Sequence, residues 1–306
     1  MKKSAMFVGV ILAVVSSGSA LAAKSSEFFQ TYEDYNEQGR ALLDQIEPRT
    51  GSIMLPDGIA LDLEDRFYFL DSEDSLVVLR DMWGNPPSAA IGTQGMIFPV
   101  GRDPLAPEGW GIQLSMDKLG YVDDADATSI DYDDLLESMK QDTLAANDDR
   151  IKQGFEPITL IGWASPPTYD SVNKRLHWAK EVRFGDRAER TLNYDVRFLG
   201  REGVFVMSYI ASIDELPKIK ESLDEVLALP SFVEGKRYAD YVPGVDKVAA
   251  IGVGGLIAGK LAAKAGFLAV ALVVLKKFGV FLIIPLAMLG QFARRLFSRG
   301  TDRSTR

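Results

Sequence analysis

The side chain in this sequence best suited to acid–base chemistry is His177, the single histidine of the chain. It lies between Leu176 and Trp178 in a run with the composition of a β-strand. An imidazole, a carboxylate and a serine hydroxyl can together hydrolyse esters or amides by a Ser–His–acid mechanism. The candidate partners are the carboxylates of Asp170, Glu181 and Asp195 and the hydroxyls of Ser165 and Ser171.

Two features of the sequence argue against a catalytic site around His177. No G-x-S-x-G turn, which would expose a nucleophilic serine, is present. Because side chains alternate across a strand, we expect His177 on the face opposite Leu176 and Trp178, with Asp170 in the preceding turn. The sequence therefore predicts no catalytic residues, and a hydrolase that uses His177 with a nearby carboxylate is the alternative.

The composition also predicts no metal and no cofactor. The chain has no cysteine, which excludes thiolate catalysis, disulfides and cysteine-ligated zinc or iron–sulfur sites. The acidic run Asp123–Asp134 departs from a calcium-binding loop, since Thr128 replaces the glycine at its sixth position and Asp134 the glutamate at its twelfth. Gly254–Lys260 has the spacing of a phosphate-binding loop, but Leu261 replaces the required Ser or Thr, so no nucleotide site is expected.

A better candidate for binding is a patch rich in aromatic residues and proline. Exposed Trp and Tyr side chains often dominate recognition of peptides or sugars, although Trp–Pro contacts also fill protein cores. The sequence leaves both interpretations open for this patch, which comprises Trp163, Pro166, Pro167, Tyr169 and Trp178.

Charge is distributed very unevenly along the chain. Residues 24–247 hold 23 Lys and Arg against 42 Asp and Glu, whereas residues 248–306 hold 9 against 1. An acidic domain repels the phosphates of nucleic acids, so no nucleic-acid partner is expected.

The N-terminus has the pattern of a secretory signal peptide. Lys2 and Lys3 precede an apolar run over Ala5–Val15, and small residues follow, which predicts cleavage after Ala22 or Ala23. An uncleaved N-terminal anchor is the alternative.

The C-terminal region predicts a membrane segment. Gly266–Gly290 supplies the roughly 20 residues that a membrane-spanning helix needs, with the charged pair Lys276 and Lys277 near its middle. A single crossing places the arginine-rich tail in the cytoplasm, as short basic flanks prefer. A helical hairpin with both lysines at its turn is the alternative.

The stretch before this segment, Val248–Ala265, is predicted to be either a separate amphipathic segment that leads into the membrane helix or an extension of the same helix. Gly255, Gly259 and Ala263 recur every four residues, a spacing that lets two membrane helices approach closely. This stripe indicates either self-association or simply the small-residue content typical of membrane helices.

Periodicity predicts an α+β domain with a mainly antiparallel sheet and flanking helices. Leu192–Leu199 alternates as a half-buried strand does, and Val204–Ile210 is apolar on both faces, which indicates a central strand. Helices are predicted over Ser75–Trp83, from Ser129 to about Gln153 with Ser129 or Thr128 as cap, and from Ser212 to about Ala228. Further strands are predicted over Ile59–Leu63 and Arg66–Leu70, paired as a hairpin, and over Gln94–Val100, Gly109–Met116, Ile158–Trp163 and Leu176–Phe184.

The run GWASPPTYDSVNKRLHWA, at Gly162–Ala179, resembles a bacterial family of predicted membrane-anchored proteins known as domain of unknown function 2167. The resemblance extends over about residues 50–290. It implies an exported domain with a C-terminal anchor, and it implies no activity, cofactor or catalytic residue. The other similar blocks, in the same order, are Trp83–Pro87, Gly120–Leu136, Leu192–Val204 and Gly235–Ala249.

The sequence thus predicts a signal peptide (residues 1–22), an exported acidic α+β domain (23–247), a membrane-associated and transmembrane segment (248–290) and a basic cytoplasmic tail (291–306). The expected location is the inner membrane with the main domain outside the cytoplasm. The expected role is that of a non-catalytic binding or scaffold component of the envelope, with membrane lipid and an envelope protein as partners. The alternative is an envelope hydrolase.

Overall fold

A computed structural model describes residues 21–85, 90–106, 110–152 and 154–259 of the protein, with only the backbone of Ile210. The predicted signal peptide up to residue 20, the predicted membrane span, the basic tail and Ala263 lie outside the described residues. The helices are α1 (Ser25–Phe28), α2 (Glu37–Leu43), α3 (Ser72–Leu76), α4 (Tyr132–Lys152), α5 (Leu216–Ala228) and α6 (Val253–Ala258), and α3 continues as a π-helical segment over Val77–Met82.

Within the described residues, strands form a nine-stranded sheet, antiparallel throughout, and a small three-stranded sheet. The order in the large sheet is β1-β2-β5-β6-β7-β11-β10-β9-β8, and in the small sheet β12-β4-β3. The strands are β1 (Leu21–Ala22), β2 (Arg49–Thr50), β3 (Ser52–Leu55), β4 (Ile59–Asp62), β5 (Phe67–Asp71), β6 (Thr93–Pro99), β7 (Gly111–Asp117), β8 (Ile158–Asp170), β9 (Arg175–Phe184), β10 (Arg190–Leu199), β11 (Val204–Ser212) and β12 (Pro230–Phe232).

Three apolar cores hold these layers together. The first core lies between one face of the large sheet, α5 and the small sheet, and it contains Tyr194 and Tyr209. The second core lies under α4 and α6 on the opposite face and contains Trp178. The third core packs α1 to α3 on β5 and β6 around Tyr68. The prediction of an α+β domain with a mainly antiparallel sheet is confirmed.

Most predicted strands are confirmed, and β11 is central as expected, between β7 and β10. The predicted hairpin of Ile59–Leu63 with Arg66–Leu70 is wrong. β4 pairs with β3 and β12, whereas β5 pairs with β2 and β6, so the chain passes from one sheet to the other at Glu64. Glu64 has φ 50°, and the Phe67 amide donates to the Leu63 carbonyl, a geometry that turns the chain between the sheets.

Two finer predictions are also corrected. Helix α4 begins at Tyr132 rather than Ser129, because the Asp131 carboxylate accepts the backbone N–H groups of Asp133 and Asp134 at 3.0 Å and caps the helix. Strand β10 is covered on both faces rather than half-buried. Its side chains Leu192, Tyr194, Val196 and Phe198 enter the first core as predicted, but Asp195 on the other face is only 1% exposed.

The outer edge of the large sheet is irregular. Strand β8 forms that edge, and its pairing with β9 shifts register between Leu160 and Gly162, between Trp163 and Ser165, and between Ser165 and Thr168. At its beginning, the Asn147 side chain of α4 both accepts from the Ile158 N–H (2.8 Å) and donates to the Ile158 carbonyl (2.9 Å). The amide of Asn147 therefore occupies the backbone groups that a neighbouring strand would pair with at this position.

Asp74 on α3 gives the fold a testable pH dependence. Burial, followed by repulsion from Asp71, raises the pKa of Asp74 from its usual 3.8 to about 6. Because the folded protein binds this proton more tightly than the unfolded chain, the stabilisation is present below about pH 4 and is lost as the pH rises to about 6. This stabilisation amounts to about 2–3 kcal/mol, since a tenfold change in proton affinity corresponds to about 1.4 kcal/mol.

We expect Asp74→Asn to remove this dependence, so that the variant gains stability relative to the wild type between pH 4 and 6. Urea unfolding of the full chain in detergent at a series of pH values measures the difference. Glu73→Gln, at an exposed position of the same helix, is the control. Parallel stability curves for Asp74→Asn and the wild type would contradict the raised pKa.

Candidate functional site

His177 lies on the face of β9 opposite Leu176 and Trp178, whose side chains enter the second core. Its Nδ1 atom is 3.0 Å from the hydroxyl of Tyr194, and that hydroxyl also bonds to Ser165. Burial, reinforced by Arg175, lowers the pKa of His177, and burial raises the pKa of Tyr194 to about 12. Both groups are therefore neutral near pH 7, and they form a hydrogen-bonded chain beside the first core.

The carboxylates considered as partners of His177 all have other roles. Asp170 fixes the turn between β8 and β9, where it accepts from the backbone of Val172 and Asn173, from the Asn173 amide and from Arg175. The Asn173 bonds, side chain first, lower its pKa to about 2. Glu181 pairs with Arg190. Among the described residues, no carboxylate lies within hydrogen-bonding or ion-pairing distance of the imidazole.

Asp195 lies on the opposite sheet face, in a buried polar row. Its Oδ1 accepts from the Ser208 hydroxyl at 2.8 Å, and its Oδ2 is 3.8 Å from the Lys180 ammonium. Burial lowers the pKa of Lys180, although Asp195 partly opposes that effect. The sheet separates Asp195 from His177, so these two residues cannot act on one substrate atom.

The members of the patch rich in aromatic residues and proline differ in exposure. Trp178 is 1% exposed in the second core, and Pro167 is buried. The indole N–H of Trp163 donates to the Tyr132 carbonyl at 3.2 Å. Pro166 is exposed, and both prolines lie in the widest register shift of β8, opposite Trp178. Trp178 therefore offers no surface to a ligand, because its ring is enclosed by core side chains.

The fifth member of that patch, Tyr169, belongs to a cluster that sequence reasoning missed. We call it the Asp124 cluster, formed by Asp124, Tyr169, Lys174 and Tyr238. The Asp124 carboxylate accepts from Tyr169 at 2.5 Å, from Lys174 at 2.7 Å and from Tyr238 at 3.0 Å. The Lys174 ammonium also lies 5.0 Å from the centre of the Tyr238 ring.

The electrostatics of the Asp124 cluster favour a permanent anion held by neutral hydroxyls. Burial by itself raises the pKa of Asp124, but the bonds from Lys174, Tyr169 and Tyr238 outweigh it and hold the pKa below its usual value. Burial, followed by bonding to Asp124, raises the pKa of Tyr169, and burial is likewise the largest cause of the raised pKa of Tyr238. Every polar atom of the cluster that could attack or protonate a substrate is thus already engaged.

Two further carboxylates fasten the C-terminal part of the chain beside this cluster. Asp126 accepts the backbone N–H groups of Val253 and Gly254 at 2.9 and 3.0 Å, which satisfies the first turn of α6. Asp246 forms a bidentate ion pair with Arg201, with N–O distances of 2.7 and 2.9 Å. Two acids of the run that was predicted to be a capped helix start, Asp124 and Asp126, are therefore attachments for residues 238–254.

The packing corrects the predicted boundary after residue 247. Beyond it, Ile251, Val253, Leu256 and Ile257 are buried in the second core against α4. Helix α6 ends at Ala258, and Gly259 follows in the left-handed conformation with φ 66°. Within the described residues, Val248–Gly252 is therefore not helical, and Gly255 and Gly259 do not lie on one uninterrupted helix.

A cavity of about 650 Å3 lies at the edge of β8, lined by four cations and by apolar side chains of α4 and β8. Three of those cations already pair with glutamates: Lys140 with Glu137, Arg187 with Glu156, and Arg190 with Glu181. In the part of the chain that the structure describes, no group of three potential metal ligands occurs. No helix in that part is long and apolar enough to cross a membrane.

Comparison with known proteins gives a match to a protein family and a match to a solved structure. A family model described as "Protein of unknown function (DUF2167)" matches residues 47–287. No curated protein matches the sequence. A solved structure of cyanobacterial PsbP (CyanoP) from Synechocystis sp. PCC 6803 matches with a TM-score of 0.36 and 13% identity, over 60% of this chain and 91% of that one.

Proposed function

Because the chain belongs to the family of proteins of unknown function DUF2167, we propose its role from its own geometry: it is a membrane-anchored envelope protein whose acidic domain acts as a non-catalytic binding or scaffold component. The observation that carries this proposal is the attachment of residues 238–258 to the domain. The Asp124 cluster, Asp126 and Asp246 hold this segment, which leads directly to the apolar stretch Gly266–Gly290.

The attachment of residues 238–258 to the domain favours a structural role over a catalytic one. The polar groups that the fold concentrates in one place are used to hold the connection between domain and anchor. His177, in contrast, is neutral, half-buried and hydrogen-bonded to Tyr194 without a carboxylate beside it. A Ser–His–acid mechanism needs a carboxylate that orients the imidazole and stabilises its protonated form, which this arrangement does not supply.

The charge distribution supports the proposed placement. Export of the domain to the outer face of the inner membrane fits the signal-peptide pattern, and the nine basic residues after position 247 fit retention of the C-terminus in the cytoplasm. In this arrangement the membrane lipid and an envelope protein are the proposed partners.

Fusions of alkaline phosphatase, which is active only after export, test the topology. We expect high activity for a fusion after Gly259 and background activity for a fusion after Arg306. Deletion of residues 2–22 is the matched control and should abolish the activity of the first fusion. Active enzyme at Arg306 would contradict a single crossing and support the hairpin.

Crosslinking in intact cells separates the scaffold role from the hydrolase alternative. We expect a specific partner to be recovered with the full chain and to be retained with His177→Ala. Turnover of an envelope substrate that is lost in His177→Ala, without any partner above background, would overturn the proposed role.

A further inference from the structure

The loop over Val242–Val248 presents several exposed aliphatic side chains. The chain turns tightly over Val242–Val245, where the Val245 N–H donates to the Val242 carbonyl at 3.2 Å. Pro243 and Gly244 occupy the central positions, and Gly244 has φ 77°, as a type II turn requires. The turn leaves Val242 41% exposed and Val245 75% exposed.

Hydrogen bonds and ring stacking fix this turn, so the exposure of its valines is a defined feature of the fold. Asp246 accepts the Val242 N–H at 2.7 Å while it pairs with Arg201. Beside it, the ring of Tyr121 stacks on Tyr241 with centroids 3.9 Å apart. Loops that are not constrained by function ordinarily place polar residues at such positions.

One more exposed valine follows the turn. Val248 is 51% exposed and lies at a backbone bridge to Tyr121, whose ring stacks on Tyr241 of the same loop. We call Val242, Val245 and Val248 the valine surface.

A lipid bilayer is the occupant that fits the valine surface best. Only six residues separate Gly259 from Gly266, a distance of about 25 Å when fully extended, so the anchor begins close to the end of α6. The loop also turns its acids inward, since Asp240 accepts backbone N–H groups and Asp246 pairs with Arg201. Lys247 and Arg237 are exposed, as suits anionic headgroups.

We infer that the valine surface inserts into the outer face of the membrane in which the chain is anchored, so that the domain lies against the bilayer in a fixed orientation. This inference rests on the proposed membrane anchoring. Interfacial binding of this kind grows with the apolar area buried and with attraction to anionic lipids. The proposed contact therefore orients the domain, while the C-terminal segment retains it.

The absence of cysteine allows a direct test with the full chain. The Val245→Cys variant is labelled with an environment-sensitive fluorophore and reconstituted into vesicles of phosphatidylethanolamine and phosphatidylglycerol. Met54→Cys, 64% exposed on the small sheet, is the control. We expect the label at position 245 to emit at shorter wavelength and to be quenched by headgroup-region nitroxide lipids, while the label at position 54 behaves as in water. Adding Val242→Asp and Val248→Asp should abolish the quenching without releasing the chain from vesicles.

The possible results separate this inference from the proposed anchoring. Chain that floats with vesicles while both labels report water would overturn the valine contact and leave the anchoring intact. Chain that does not float would overturn both. A shift at position 245 that occurs in native membranes but never in pure lipid would overturn the lipid assignment and indicate a protein partner.

Discussion

Replacing Trp178 with alanine is expected to lower the free energy of unfolding by about 3–5 kcal/mol, the usual cost of deleting a large buried ring. The ring is 1% exposed, it packs in the second core, and the Arg197 guanidinium lies 5.5 Å from its centre. Since domains of this kind are stable by only about 5–15 kcal/mol, the loss is a large fraction of the total stability. Urea unfolding of the full chain in detergent, followed by circular dichroism, measures it.

Two further variants keep this expectation testable if Trp178→Ala does not fold. Trp178→Phe retains most of the packing and should lose much less stability. Trp163→Ala removes a ring that is only half-buried and should also cost less than Trp178→Ala. A Trp178→Ala protein with unchanged stability would show that the ring is not part of the core, and the ligand-binding interpretation of this residue would regain its support.

The second large effect is expected from Asp124→Ala. This change leaves the Lys174 ammonium and the hydroxyls of Tyr169 and Tyr238 without their acceptor. We expect a loss of about 2–3 kcal/mol, because hydrogen bonds to a charged group are worth more than neutral ones. We also expect faster hydrogen exchange in residues 238–258, which the cluster helps to hold against the domain.

The neighbouring residue supplies a matched control. Asp123 is exposed, and among the described residues its carboxylate accepts a hydrogen bond only from the Ala125 N–H, so Asp123→Ala should cost much less. The pH dependence of Asp124 has the opposite sign to that of Asp74. Its pKa is lowered in the folded state, so its stabilisation is present above pH 3.8 and is lost as the pH falls below that value. Equal stability and exchange in both alanine variants would contradict the role given to Asp124.

Local patterns in the sequence were sufficient to identify most strands. The alternation of Leu192, Tyr194, Val196 and Phe198 predicted the face of β10 that enters the first core. The partner of a strand could not be predicted in this way, because alternation indicates a buried face without indicating what covers it. For that reason Ile59–Leu63 and Arg66–Leu70 were recognised as strands and paired with each other incorrectly.

The Asp124 cluster could not be predicted from spacing. Asp124 and Tyr238 are 114 positions apart, and only the packing of α4, β8 and residues 235–254 brings them together. The available signal was the family resemblance, since its blocks Gly120–Leu136, Gly162–Ala179 and Gly235–Ala249 are the segments that meet here. The sequence does not show which acids face inward. The dense negative charge of the first block therefore predicted only a capped helix start.

The irregular edge strand β8 has a consequence for the protein at high local concentration. A regular edge exposes a row of unpaired backbone groups, to which a second molecule can add its own strand and begin aggregation. Pro166 and Pro167 have no N–H to donate, the register shifts interrupt the row, and Asn147 occupies the groups of Ile158. Near the opposite edge, β2 is only two residues long, which leaves little for a new strand to pair with. Molecules at high local concentration can therefore crowd together without joining their sheets through this edge.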